Sequence, residues 1–125
     1  MNAQEQYMRI SKQHLDHSIN YRQNVIYLNT HNELSHELAK FLVSWDLIKN
    51  GSNIVTEATF KNRLARADIY ELETRTAYEI LNTETAARFE NKTKYYPFDV
   101  TLVGLKAEDM IIKHLRDQPW LKTLK

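Results

Sequence analysis

The sequence predicts an α/β protein with a mixed central sheet flanked by helices, and three observations carry that expectation. Leu34, Leu38, Phe41, Leu42, Trp45 and Ile48 recur at helical spacing. Three consecutive segments, 53–60, 65–72 and 76–81, have the alternation or the β-branched and aromatic content of strands. Beyond them a polar helix-prone stretch, a short apolar run and an amphipathic segment follow in turn. The expected order is helix, three strands, helix, strand, helix, an αβββαβ core with a closing helix, behind an N-terminal extension over residues 1–29.

The extension allows two readings. Leu15, His17, Ile19 and Tyr21 alternate as a strand would, and Val25-Ile26-Tyr27-Leu28 is a short apolar run, so a hairpin or a helix followed by a strand both fit. The helix that begins after Thr30 ends at Asn50-Gly51, the preferred stop residues. In segment 53–60, Ile54, Thr56, Ala58 and Phe60 share one face, with Val55, Glu57 and Thr59 on the other; Lys61-Asn62-Arg63 is the turn. Segments 65–72 and 76–81, joined through Glu73-Thr74-Arg75, are expected to pair as an antiparallel hairpin. Residues 83–96 are helix-prone up to Pro97, 98–103 read as a buried strand, and Ala107, Met110, Ile111, His114 and Leu115 mark the last helix before Pro119.

The 125 residues suit one domain with a sizeable core, and the two glycines and two prolines mark no linker. With no cysteine, disulfides and thiolate metal sites are excluded, which leaves oxygen and imidazole ligands and hard divalent ions. No apolar run reaches membrane-spanning length, and the polar start Met1-Asn2-Ala3-Gln4-Glu5-Gln6 lacks a signal-peptide core, so a soluble cytoplasmic protein is expected. A formal charge of +1 means that any nucleic-acid binding rests on a local basic patch.

The chemical signal lies in the hairpin. Asp68 and Glu79 each sit mid-strand, where acids are depleted. With an even connecting loop the two point to one face, directly or diagonally opposite, and like charges held so close call for a cation. Water or an arginine such as Arg66 or Arg88 would also satisfy them. On the preceding helix, at about 100° per residue, Glu37 falls on the edge of the apolar stripe, Glu33 further round and His36 nearly opposite. Glu37 is thus the choice for a third acid, against a solvated Glu33-Glu37-Lys40 face, with Glu57 the other candidate.

This order of elements, with Glu37, Asp68 and Glu79 in it, resembles the PD-(D/E)xK nuclease superfamily, which includes Holliday-junction resolvases and restriction endonucleases. The resemblance covers residues 30–115, and the passage Lys94-Tyr95-Tyr96-Pro97-Phe98-Asp99-Val100 is similar to the helix-to-strand connection of several members. It implies a restriction-endonuclease-like core over residues 30–118. It also implies a DNA endonuclease, acting on branched or structured DNA, with Mg²⁺ or Mn²⁺ held by Asp68, Glu79 and the Ile80 carbonyl, and a water or second ion at Glu37.

The family's lysine two residues after the glutamate is replaced by Leu81, which can neither move a proton nor stabilise negative charge. A basic group from the following helix, Arg88, Lys92 or Lys94, is the expected substitute, Lys92 being the choice for catalysis. Arg63, Arg66, Arg88 and Lys94 would contact the nucleic acid. The rival expectation is a catalytically degenerate relative that binds nucleic acid or protein, and a third is a plain α/β interaction domain.

His14, His17, His31 and His36 lack zinc spacing and read as surface or hydrogen-bonding residues. Tyr21, Tyr27, Tyr70 and Tyr78 fall on expected strands, as packing residues. The tail over 119–125, with Trp120, Leu121 and Leu124, would dock on the core or on a second subunit, and a homodimer would suit an enzyme that cuts two strands.

Overall fold

The computed structural model describes residues 2–19, 21–116 and 118. The expected tail, 119–125, lies outside them. The elements are helix α1 (Ala3–Gln13), helix α2 (Leu34–Lys49), strands β1 (Ile54–Thr59), β2 (Arg66–Glu71) and β3 (Thr76–Leu81), helix α3 (Ala86–Lys92), a single 3₁₀ turn at Thr93–Tyr95, strand β4 (Thr101–Lys106) and helix α4 (Ala107–Leu115). The protein is therefore a mixed α/β fold. Its four strands lie in the order β1-β2-β3-β4, the first two pairings antiparallel and the last parallel.

Consecutive residues along the strands enter two different cores, as a period of two requires. Ile54, Ile69 and Ile80 pack with Ala39 and Val43 of α2 and Ala107 of α4. Val55, Tyr70 and Ala77 pack with Leu15, Phe60, Tyr96 and Val100. Tyr70 is fully buried, and its hydroxyl donates to the Ser11 carbonyl at 3.1 Å, which anchors the end of α1 to the sheet.

Three expectations need correction. Of the alternating run at the N-terminus, only Leu15 pairs, in an isolated bridge to Phe60. The segment is instead a helix, capped by the Asn2 side chain on the Glu5 N–H, and then an irregular stretch. Residues 25–28 form no strand. They run beside β1, where Thr56 Oγ1 donates to the Val25 carbonyl and accepts from the Tyr27 N–H, and just before them the Asn24 N–H donates to the Ile54 carbonyl at 2.8 Å.

The second correction concerns β4, which begins three residues later than 98–103 suggests. Val100 N–H closes a turn on the Pro97 carbonyl, Phe98 is fully exposed, and Asp99 is tied to Arg75 at 2.9 Å and His14 at 3.1 Å, which together hold the chain off the sheet until Thr101.

The third concerns the phase of α2. Leu34, Phe41 and Trp45 of the supposed inner stripe are exposed, whereas Glu37, Ala39, Lys40, Val43 and Ser44 are buried. Small residues let the helix approach the sheet closely, and its buried charges are matched there.

Helix α3 is seated through Gly104. A Cβ at that position would come within 2.9 Å of Leu81 Cδ1 and of the Phe89 ring. Gly104→Ala is expected to cost about 1–3 kcal/mol through overpacking and to displace α3. Thermal unfolding would register this as a lower Tm, and an unchanged Tm would mean that Phe89 swings aside freely.

Candidate functional site

The hairpin does not pair along its whole length. The ladder between β2 and β3 runs from Glu71↔Thr76 to Ile69↔Tyr78 and then stops, although both strands continue. Asp68 and Glu79 are the next residue on each strand. The Asp68 carboxylate takes the place of the missing ladder acceptor, receiving the Ile80 N–H at 2.7 Å. The connecting loop spans four residues, 72–75, so the even spacing required to set the two acids against each other is met.

Glu79 is buried, and its Oε2 has no hydrogen-bond partner among the described residues. Burial raises its pKa; the Lys92 ammonium opposes that rise and the Asp68 charge adds to it. Lys92, from the last turn of α3, stands with Nζ 3.4 Å from Glu79 Oε2 and 2.7 Å from Glu84 Oε1. Burial lowers the lysine's pKa, but the two glutamates outweigh it and hold the ammonium charged. Of the basic residues expected from this helix, Lys92 is the one brought to Glu79. Arg88 sits in the first turn, where its N–H caps on Thr85, and Lys94 lies over the Tyr95 ring at 5.1 Å.

Glu37 is held differently from a metal ligand with free oxygens. Its Oε1 accepts from the Asn29 N–H and Lys40 Nζ, both at 2.6 Å, and its Oε2 faces Asn32 Nδ2 at 3.2 Å and His36 Nδ1 at 2.6 Å. Burial alone would raise its pKa, but Lys40, Asn29, His36 and Asn32 together bring it down to about 2. Lys40 is fully buried and also reaches Glu57 Oε1 at 2.8 Å. Glu57 is a strand residue with φ of 53°, a left-handed conformation that breaks the β1 ladder opposite Asp68.

His36 and Lys40 are the residues the sequence reading missed. His36 was expected nearly opposite the buried stripe; with the helix rotated, it bridges Glu37 and Asp68, its Nε2 lying 3.3 Å from Asp68 Oδ2. Both ring nitrogens face carboxylate oxygens. The hydrogen bond to Asp68 is the main cause of its raised pKa, against the opposing effect of burial. The available signal was the run of small residues Ala39, Val43 and Ser44, which marks the closely packed face better than the bulky residues do.

The remaining basic candidates, Arg66 and Arg63, pair with different acids. Arg66 is exposed, with Nε 3.5 Å from Glu57 Oε2. Arg63, in a left-handed turn conformation, pairs with Asp16 at 2.8 Å on the neighbouring segment. A cleft of 310 Å³ opens beside the hairpin and contains Arg66, Glu79 and Lys92.

Among the described residues, no three His, Asp or Glu side chains stand close enough together to hold a metal by themselves. Asp68 and Glu79 still suit a hard cation. Their donors are oxygens, and Glu79 Oε2, which accepts no hydrogen bond among the described residues and faces the Lys92 ammonium at 3.4 Å, is an acceptor that a cation would satisfy. Mg²⁺ in particular is usually held by one or two carboxylates and keeps water or phosphate oxygens at its other positions.

The opposite shifts of the two glutamates make opposite predictions for stability. Glu37 has a depressed folded pKa, so its contribution is present above 4.5 and is lost as pH falls toward 2. Glu37→Gln should flatten the acid arm of the stability curve and lower the Tm at neutral pH. For Glu79 the folded pKa is raised, so its contribution is present below 4.5 and turns into a penalty as pH rises through the folded value. Glu79→Gln should raise the Tm at pH 7 without divalent ions. Melting curves from pH 3 to pH 8 test both; a lower Tm for Glu79→Gln at pH 7 would show that the Lys92 pair outweighs the burial.

Among the described residues, no helix is long and apolar enough to cross a membrane. No protein-family model, curated protein or solved structure matches the chain.

Proposed function

We propose that the protein is a divalent-metal-dependent DNA nuclease with a restriction-endonuclease-like core of the PD-(D/E)xK type. The observation that carries this reading is the delivery of Lys92 to Glu79, beside Asp68, at the point where the β2–β3 ladder opens. Leu81 removes the family's lysine from the strand, and Lys92 offers an ammonium to the same carboxylate from α3 instead.

In this reading Asp68 and Glu79, with the Ile80 carbonyl, would hold Mg²⁺ or Mn²⁺, and the ion would supply Lewis acidity toward water and the phosphate. Lys92 stabilises the negative charge that develops as the phosphodiester is attacked, and Arg66 at the cleft wall orients the phosphate. Glu37 acts at one remove. Fixed by Lys40, it holds the His36 ring, and that ring positions Asp68. A cytoplasmic location is part of this proposal.

The test is cleavage of labelled duplex, single-stranded and four-way-junction DNA with Mg²⁺ or Mn²⁺. Lys92→Met should slow cutting roughly 10²-fold, while Lys92→Arg should retain part of the rate.

One observation favours a catalytically degenerate binding module. Glu37, Asp68 and Glu79 each already have a basic partner, in Lys40, His36 and Lys92. Salt-sensitive DNA binding with no cleavage under any divalent ion would select that reading.

A further inference from the structure

The cleft that holds Glu79 has two apolar lips that the core does not use. Leu64 and Tyr95 line it together with Arg66, Glu79 and Lys92, and they are 67% and 37% exposed. Tyr95, with the Lys94 ammonium over its ring at 5.1 Å, stands out beside Tyr96, which is the tyrosine that enters the core and packs edge-on to Phe60. Leu64 is the last residue of a four-residue turn closed by the Phe60 N–H on the Ala65 carbonyl, a place that polar residues ordinarily take.

A single side chain ties the lips together. Asn62 accepts the Leu64 N–H at 2.9 Å and donates to the Tyr95 carbonyl at 2.6 Å. The backbones that carry the two side chains are thus held to one another before any ligand arrives. Three residues beyond Tyr95, the Phe98 ring is fully exposed.

We infer that Leu64 and Tyr95 grip one unpaired base beside the scissile phosphate, so that the substrate is DNA carrying an unpaired nucleotide. The inference rests on the nuclease reading for the nature of the ligand. A nucleotide is anionic at one end and flat and apolar at the other, and the lining of the cleft has residues for both. Arg66 and Lys92 offer charge for the phosphate, and Leu64 and the Tyr95 ring offer apolar surface for the base. Aromatic rings stack on any base, which makes such a grip tolerant of sequence. A continuous duplex, or a four-way junction with every base paired, keeps its bases stacked on one another and leaves both lips bare.

The experiment uses 2-aminopurine, an adenine analogue whose fluorescence falls on stacking, placed either as a single-nucleotide bulge or within the matched duplex, in EDTA. The bulged duplex is expected to bind more tightly and to lose fluorescence on binding. Tyr95→Ala should abolish the fluorescence loss and weaken binding to the bulge roughly 10-fold, whereas Tyr95→Phe should preserve both. Thermal melts establish that the variants are folded.

Equal affinity for bulged and matched duplexes, or a fluorescence loss that survives Tyr95→Ala, overturns the inference. The same oligonucleotides with Mg²⁺ separate it from the nuclease reading. A Tyr95-dependent signal without cleavage supports the grip and removes the enzyme. Cleavage of matched and bulged duplex at equal rates, unaffected by Tyr95→Ala, keeps the enzyme and removes the grip.

Discussion

Asp68→Asn is expected to lower metal-dependent cleavage roughly 10³-fold while leaving the fold intact. Asparagine keeps an oxygen to accept the Ile80 N–H, so the local geometry survives, but it removes the charge that a divalent ion and the His36 ring both require. Circular dichroism and a Tm close to wild type would show that the loss is chemical. Residual cleavage within tenfold of wild type would place the metal elsewhere.

Lys40→Ala should have the largest effect on stability, about 3–5 kcal/mol, because it takes the buried ammonium from between two carboxylates and leaves them facing each other, with only His36 and the exposed Arg66 as basic partners. The ammonium is fully buried and lies within 2.8 Å of both Glu37 and Glu57. Denaturant unfolding measures the loss directly. Pairing the change with Glu37→Gln should return part of it, since one stranded charge is then neutral, and purely additive losses would contradict the coupling.

The hairpin was legible because nothing competes with it. Its alternation, its polar connection and the two mid-strand acids all point to one pairing, and the fold has that pairing. The end of α2 at Asn50-Gly51 was legible for a similar reason: Gly51 has φ of 94° and supplies the left-handed residue that stops a helix.

The rotation of α2 was hidden, because a hydrophobic stripe assigns bulky apolar residues to the interior. Glu37 and Lys40 can be buried only together, and with Glu57 from a different element, a condition that spacing within one helix does not express. The same rotation hid His36. The start of β4 was misplaced because the apolar Phe98 looked like a buried strand residue, while the contacts that hold it outside come from Arg75 and His14, far away in sequence. The N-terminal segment misled for a related reason: alternation without a partner strand is not a strand, and only Leu15 found one.

Calorimetric titration of Mn²⁺ into the wild type and into the Asp68→Asn/Glu79→Gln double variant tests the central claim most directly. The account predicts saturable binding to the wild type and none to the variant at the same concentrations. Identical isotherms from the two proteins would contradict it and would leave Asp68 and Glu79 as a structural pair.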